Sequence, residues 1–292
     1  FTPSRDVTVV LILQEDSIMK SVTKITAAVF AASALLISTG VNAAGAKVVV
    51  KGSTTVLPIA LKAGEEFKKE TGIAVSIDGS GSGNGIKALL DGSCDLANSS
   101  REMKTEEKNS AAGKGIKVKE IAIAYDMVVP IVNPSNPVSN LSSDQLKGIY
   151  DGSITNWKQV GGKDERIVVI SRDTSSGTYE IWHERIMKKT DTKKDALLQA
   201  SSGAIITAVS GNRKAIGYVG FGYISSSVKA VSVNGVVPTI DNGKTSKFPV
   251  SRRLYMYANE KKFSKEASDF VNYILSAKGQ AIVKEEGFIP LK

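Results

Sequence analysis

Three short segments rich in Gly, Ser and Thr each follow an apolar run and precede a helical pattern. Such a junction can bind an anion, because the first turn of a helix has unpaired backbone N–H groups and the positive end of the helix dipole. Glycine lets the backbone approach a ligand closely, and hydroxyl side chains add donors that do not depend on pH. The three segments are residues 52–55, 79–85 and 172–178.

The third segment also contains an arginine, Arg172, whose guanidinium could make a bidentate contact to an oxyanion. Two ordinary interpretations compete with a binding role. Ser and Thr are the usual N-caps of helices, and Arg172 could instead form a salt bridge with Asp173 or Glu180. Three such loops in one chain nevertheless predict an oxyanion site.

The residues needed for catalysis are largely missing. The tripeptide Gly243-Lys244-Thr245 resembles the end of a P-loop, but Pro238 stands where the earlier glycine is required. His183 is the only histidine, and there is no GxSxG nucleophile elbow or HExxH zinc motif. A phosphohydrolase or acyl-transfer enzyme using Ser176 would lack a general base and a metal set. We therefore expect a binding protein without cofactor or metal, and not an enzyme.

The elements that must position these loops alternate between strand and helix patterns. Continuous apolar runs such as residues 48–50 are typical of strands covered on both faces, and the alternation predicts an α/β fold with largely parallel sheets. The predicted strand and helix pairs are 47–51 with 58–70, 74–77 with 86–90, and 167–171 with 179–189.

Two further strand-like runs, 121–132 and 248–257, could carry the chain between two lobes. The predicted lobe 1 comprises residues 44–124 and 252–292, with the helical region 264–284 returning to it. Lobe 2 comprises residues 125–251.

The N-terminal region has the pattern of a secretory signal peptide in residues 19–43. Met19 and Lys20 open a basic stretch, an apolar run covers residues 25–37, and small residues end at Ala43, where cleavage is expected. The apolar run is shorter than the roughly 20 residues of a membrane span. Residues 1–18 show no usable pattern and are interpreted as an upstream extension. The mature protein is expected to be soluble, monomeric and periplasmic.

Net charge and cysteine content limit the kinds of partner and covalent bond that we expect. The net charge is +9 before and after removal of residues 1–43, which suits an anionic partner. The basic residues form no block and aromatic residues make up only 6%, so nucleic-acid binding is not expected. Cys94 is the single cysteine, so an internal disulfide is ruled out. We expect Cys94 to be a small buried residue near the site and not a reactive thiol.

These motifs together resemble the phosphate-binding proteins of ABC-type phosphate importers, over essentially the whole region after residue 43. The resemblance implies the two-lobed periplasmic-binding-protein fold, with two crossover strands at the hinge, the ligand in the cleft between the lobes, inorganic phosphate as ligand and a membrane permease as partner. The motifs that carry it are GSTTV at 52–56, GSGSG at 79–83, DLANSSR at 95–101, IYDG at 149–152, TNW at 155–157, RDTSSGT at 172–178 and AIGYV at 215–219.

The resemblance also implies which residues bind the anion. Lobe 1 would contribute hydroxyl or backbone donors, and lobe 2 a positive charge with the donors of a helix start. Ligands from both lobes would favour the closed state. The implied ligands are Thr54, Thr55 and Ser82 from lobe 1, and Arg172, Ser176, Gly177 and Thr178 from lobe 2.

One position departs from the best-known members of this family. They have an aspartate that accepts the proton of phosphate and helps to reject sulfate, whereas this chain has Ser100 followed by Arg101. Ser100 can donate or accept but does not repel sulfate by charge, which leaves sulfate, molybdate or arsenate as alternative ligands. Arg101 is either a second positive charge for the anion or a solvated arginine at a helix start.

Overall fold

The computed structural model of the protein describes residues 47–292. The strands of this region are β1 (Lys47–Gly52), β2 (Ala74–Asp78), β3 (Leu96–Ser99), β4 (Val118–Val132), β5 (Asn140–Leu141), β6 (Val168–Arg172), β7 (Leu197–Gln199), β8 (Ala215–Gly220), β9 (Lys229–Ala230), β10 (Ser232–Val233) and β11 (Ser251–Asn259). The helices are α1 (Leu57–Thr71), α2 (Ser82–Leu90), α3 (Thr105–Gly113), α4 (Ser143–Asp151), α5 (Gly177–Arg185), α6 (Ser202–Ser210), α7 (Ile240–Lys244), α8 (Lys265–Leu275) and α9 (Ala277–Glu285).

The main sheet runs in the order β2-β1-β3-β11-β4-β8-β6-β7, with β9 paired to β4 beside it. β1 is parallel to β2 and β3 at one end, and β6 is parallel to β7 and β8 at the other. Parallel neighbours need helical crossovers, which explains the alternation of strand and helix along the chain. The predicted α/β fold is confirmed.

Lobe 1 of the structure is built around β1, β2 and β3. Its core contains Val48 and Val50 of β1 and Phe67 of α1, all with almost no exposed surface. Helix α8 packs on the same core, with the ring of Phe270 centred 5.4 Å from that of Phe67.

Lobe 2 is built around β6, β7 and β8. Three large aromatic side chains fill its core: Trp182 of α5 stacks on Tyr218 of β8 at 4.5 Å, and Tyr150 of α4 meets Trp182 edge-on at 5.1 Å. This packing fixes α5, whose N-terminus carries the third Gly- and Ser-rich loop, against the end of the sheet.

β4 runs from lobe 1 into lobe 2, and β11 is antiparallel to its first part. β11 pairs with the first part of β4 from Val118 to Met127, and the second part, from Val128 to Val132, pairs with β8. The predicted lobe boundaries, 124/125 and 251/252, fall inside these two strands and stay a prediction. The proposed extension (1–18) and signal peptide (19–43) lie outside the described residues. No helix between residues 47 and 292 is both long and apolar enough to span a membrane.

Two predicted helices end differently in the structure. The helix expected to reach residue 189 stops at Arg185, and Lys188 and Lys189 adopt positive φ angles of 52° and 63°, which a right-handed helix does not allow. The predicted helical region 264–284 is two helices, because the Ser276 backbone is extended and its side chain caps α9.

Candidate anion-binding site

Hydroxyl side chains from both lobes meet where the strands end. Thr55 Oγ1 of lobe 1 lies 2.9 Å from Thr178 Oγ1 of lobe 2. Ser100 Oγ lies 3.5 Å from the same Thr178 oxygen and 3.3 Å from Ser82 Oγ. All four residues are buried. We call this set, Thr55, Ser82, Ser100 and Thr178, the hydroxyl cluster; each of its hydroxyls can rotate to donate a hydrogen bond to an oxyanion.

Local capping explains how the loops aim these side chains. Ser53 Oγ accepts hydrogen bonds from the N–H groups of Thr55 and Val56, which tightens the turn before α1. Ser176 is the N-cap of α5 and accepts from Tyr179 N at 3.2 Å. The first residues of α5, Gly177 and Thr178, have backbone N–H groups with no acceptor inside the helix.

The lobes touch directly at these helix starts. Gly83 N donates to Ser175 O at 3.0 Å, a backbone hydrogen bond across the cleft. Gly177 fits only because it has no side chain: a Cβ there would lie 2.5 Å from Ser82 Oγ and 2.9 Å from both Ser100 Oγ and Ser82 Cβ. The approach of Gly177 to Ser82 and Ser100 therefore requires glycine.

Arg172 lies at the end of β6 and is almost completely buried. Its Nε donates to Gln199 O and its Nη2 to Ala200 O, at 2.9 and 3.0 Å, while Nη1 donates to Thr54 Oγ1 at 3.2 Å. Burial lowers the pKa of the Arg172 guanidinium, an effect that the Asp173 charge opposes and the Arg252 charge reinforces. An Asp173 carboxylate oxygen lies 3.8 Å from Nη2, a long ion pair, and Asp173 is partly exposed, so it compensates the positive charge only weakly.

Arg252 and Asp126 form a buried ion pair next to the hydroxyl cluster. Arg252 Nε and Nη2 lie 2.9 and 2.8 Å from Asp126 Oδ2. On its other side, Arg252 Nη1 donates to Thr178 Oγ1 at 3.1 Å. Burial lowers the pKa of the Arg252 guanidinium, against the opposing charge of Asp126. Sequence reasoning missed both residues, although a carboxylate inside the apolar run 121–132 was a usable signal.

Ser202 was also missed. It begins α6, its N–H donates to Thr54 Oγ1 at 3.3 Å, and its Oγ lies 3.3 Å from the same oxygen. After β7, Ser201 caps α6 and Ser202 and Gly203 are its first residues, which is the same design as the three loops recognised from the sequence.

Apart from one hydrogen bond to the Glu102 carbonyl, the Arg101 guanidinium contacts carboxylates. It forms two hydrogen bonds of 2.7 Å with Glu107 of lobe 1 and an ion pair with Glu180 of lobe 2. Burial would lower the pKa of the Arg101 guanidinium, but the bond to Glu107 and the charges of both glutamates raise it overall. For the Glu180 carboxyl, burial outweighs the attraction of Arg101 and raises its pKa. The role of Arg101 as an anion ligand stays a prediction.

The structure thus brings most of the sequence-predicted residues to one place. Within residues 47–292 no group of three or more His, Cys, Asp and Glu side chains is arranged to hold a metal ion. The arrangement can bind a small oxyanion through hydroxyls, helix-start N–H groups and buried guanidiniums. The predicted residues that line this place are Thr54, Thr55, Ser82, Ser100, Arg172, Ser176, Gly177 and Thr178.

Comparison with known proteins identifies the family. The model of the PBP superfamily domain matches residues 38–278. The phosphate-binding protein PstS of Borreliella burgdorferi is 33% identical over 255 residues, which cover 83% of this chain and 89% of the relative. PstS of Staphylococcus saprophyticus is 37% identical over 259 residues, which cover 82% of this chain and 79% of the relative.

A solved structure agrees with these relatives. The crystal structure of a phosphate ABC transporter substrate-binding protein from Clostridium perfringens, with bound phosphate, superposes with a TM-score of 0.80 at 37% identity and covers 84% of this chain and all of that one. The two-lobed architecture predicted from the sequence is therefore confirmed. The chain belongs to the PBP superfamily, in the family of PstS-like phosphate-binding proteins.

Proposed function

We propose that this protein binds inorganic phosphate outside the cytoplasmic membrane and delivers it to the permease of an ABC importer. One observation carries the proposal: buried hydroxyls from both lobes converge with the buried Arg172 guanidinium, whose carboxylate neighbour Asp173 is partly exposed and lies 3.8 Å away. A buried charge that is only weakly compensated is costly, so the site favours an anion that supplies a closer counter-charge. Because the ligands come from both lobes, the anion also stabilises the closed cleft.

The chemistry of the donors suits a tetrahedral oxyanion. Helix-start N–H groups and guanidinium N–H groups can only donate, whereas hydroxyls can donate to a phosphate oxygen or accept its proton. The names of the relatives point to phosphate in particular. Sulfate, molybdate and arsenate share the shape, and the hydroxyl cluster contains no carboxylate that would repel them.

Native mass spectrometry and calorimetric titration test the ligand. We expect the purified protein to retain phosphate or, after its removal, to bind phosphate more tightly than sulfate at neutral pH. If sulfate binds as tightly as phosphate, or molybdate or arsenate binds more tightly, the assignment moves to another oxyanion.

An enzymatic role has little support. The family consists of substrate-binding proteins, and Ser176, the best nucleophile candidate, uses its Oγ to cap α5. His183 stacks on Tyr179 and is not part of the hydroxyl cluster. We therefore propose binding without chemistry. Release of phosphate from a phosphomonoester by the purified protein, abolished in Ser176→Ala, would contradict this.

Export and a monomeric state complete the proposal. If residues 19–43 are a signal peptide, N-terminal sequencing of protein from the cell envelope should begin at Ala44, and light scattering should give a monomer mass. A cytosolic protein that still carries Met19 would contradict export. Stimulation of phosphate uptake in vesicles that contain the cognate permease would test delivery.

A further inference from the structure

The Asp126–Arg252 pair lies where the chain crosses between the lobes. β4 and β11 are antiparallel there, and Arg252 stands directly opposite Asp126. Asp126 has no exposed surface and is the only carboxylate among the buried polar residues of the described region. Its second oxygen, Oδ1, accepts a hydrogen bond from Phe221 N at 2.8 Å. These contacts fix the Asp126 carboxylate and, through it, the Arg252 guanidinium.

The free side of the Arg252 guanidinium faces the hydroxyl cluster. Nη1 lies 3.1 Å from Thr178 Oγ1 of lobe 2, and Nη2 lies 3.5 Å from Thr55 Oγ1 of lobe 1. A guanidinium has five N–H donors in a planar fork, so Arg252 can hold Asp126 with one edge and direct donors elsewhere with another. Its donors therefore reach the same point as those of Thr55 and Thr178.

A purely structural role explains this pair poorly. A buried ion pair is seldom more stabilising than a pair of well-packed apolar side chains. Here the strands could be held by apolar residues, as they are in the following part of β4, where residues 127–132 are all buried and apolar. A charge in this position gains most if it meets an opposite charge on a ligand.

We propose that Arg252 is a second guanidinium ligand of the bound anion and that Asp126 is the residue that positions it. The inference rests on the proposed function. Of the buried charged residues Arg172, Arg252 and Asp126, two are positive and one is negative, and the partly exposed Asp173 compensates Arg172 only weakly. Arg172 reaches the site beside Thr54, and Arg252 reaches it beside Thr178. Such a site prefers a doubly charged tetrahedral oxyanion to a singly charged one, because the second charge of the anion meets the second guanidinium.

Replacement of Arg252 by glutamine tests the proposal by calorimetric titration with phosphate. We expect Arg252→Gln to bind phosphate at least about tenfold more weakly, the loss typical of one charge-assisted hydrogen bond, and Arg252→Lys to recover part of it. Affinity of the parent should rise with pH as phosphate takes its second charge, and this rise should be smaller in Arg252→Gln. The matched control is Arg253→Gln, the exposed neighbour over the Tyr125 ring, which should bind within about twofold of the parent.

A structural role would give a different result. If folded Arg252→Gln bound phosphate within about threefold of the parent, with the same pH dependence, the proposal would be overturned. If Arg252→Gln does not fold because Asp126 is left unpaired, the double variant Asp126→Asn/Arg252→Gln removes both charges together and decides by the same criteria. If the parent binds sulfate or arsenate and not phosphate, the proposed function fails, and the same variants measured with that anion still test Arg252.

Discussion

The Nη1 atom of Arg172, in lobe 2, lies 3.2 Å from the Oγ1 atom of Thr54, in lobe 1. The contact crosses the cleft and joins residues 118 positions apart in the chain. Two backbone carbonyls hold the rest of the guanidinium, so its position is fixed by lobe 2 while its charge faces lobe 1.

Substitution of Arg172 should weaken phosphate binding more than loss of any single hydroxyl. Truncating one partner of a buried charged pair costs roughly 2 to 5 kcal/mol, so Arg172→Ala should lose about thirtyfold or more in affinity. Thr54→Val and Ser82→Ala should each lose about tenfold, because a neutral hydrogen bond contributes less. Calorimetry on folded variants measures both. An affinity of Arg172→Ala within about threefold of the parent would mean that Arg172 is only structural.

Gly177→Ala should weaken phosphate binding without lowering the stability of the fold. The added methyl group would lie 2.9 Å from Ser82 Cβ, an atom that cannot rotate away, but only when the lobes touch. The backbone of Gly177 is not in the left-handed region, and alanine is favourable in a helix. We expect an unchanged or higher melting temperature without phosphate and an affinity loss of at least about tenfold.

Gly203→Ala is the matched control for Gly177→Ala, because a Cβ at this early position of α6 would meet its nearest neighbour, Ser201 Oγ, at 3.9 Å. It should leave phosphate affinity unchanged. Equal affinities for Gly177→Ala and the parent would show that the lobes need not approach this closely to hold the anion.

The ion pair between Arg101 and Glu180 should favour the closed cleft. Glu180, at the start of α5, also lies 3.0 Å from Lys104 Nζ, so one carboxylate of lobe 2 holds two cations of lobe 1. Glu180→Gln should shift the unliganded protein toward open forms and weaken phosphate binding about three- to tenfold, since Arg101 keeps Glu107 as a partner. Small-angle scattering and titration measure the two effects.

The exposed Glu184, on the same helix, provides the control variant Glu184→Gln. It should change neither the scattering profile nor the affinity. If Glu180→Gln matched this control in both measurements, the contact would not contribute to closure.

Ser100→Asp should increase discrimination against sulfate. Ser100 Oγ lies within the hydroxyl cluster, so a carboxylate there would accept the proton of phosphate but repel sulfate, which has none to donate. In competition titrations at neutral pH we expect the ratio of phosphate to sulfate affinity to rise at least about tenfold. Ser100→Asn has nearly the same shape without the charge. A similar rise in Ser100→Asn would show that size, and not charge, is responsible.

Cys94 should be unreactive in the native protein. It is buried beside Ile86 and Leu89, and burial raises the pKa of its thiol from 9.0 to about 12. Because the thiolate is the reactive form, labelling by a disulfide reagent at pH 8 should be far slower in the folded protein than in urea. The raised pKa also means that Cys94 contributes stability that is present below pH 9.0 and lost as the pH rises toward about 12.

Rapid labelling of folded protein at pH 8 would place Cys94 at an accessible position. Cys94→Ala supplies the background for the assay. It should bind phosphate like the parent, because Cys94 Sγ contacts the Gly85 carbonyl of α2 and takes no part in the hydrogen bonds of the hydroxyl cluster.

The sequence by itself determined the local features of this protein. Strand and helix periodicity and the Gly- and Ser-rich turns depend on neighbours a few residues apart, so they indicated the α/β class and the loops that carry Thr54, Ser82 and Arg172. Local signals were weaker at helix ends. Helix α5 ends at Arg185, and Lys188 and Lys189 beyond it have positive φ angles. No glycine or proline in this stretch indicates from the sequence that the helix ends there.

Only the tertiary structure decided which charges meet. Arg252 and Asp126 are 126 residues apart and come together through the antiparallel register of β11 and β4, which composition and periodicity do not specify. Likewise, three glutamates, at 102, 106 and 107, follow Arg101 in the sequence, but the docking of α5 across the cleft decides that its charge is shared with Glu180. Strand register and the approach of the two lobes are collective results of packing. They decide which charged side chains pair at the site, whereas the sequence determines only which charged residues are available.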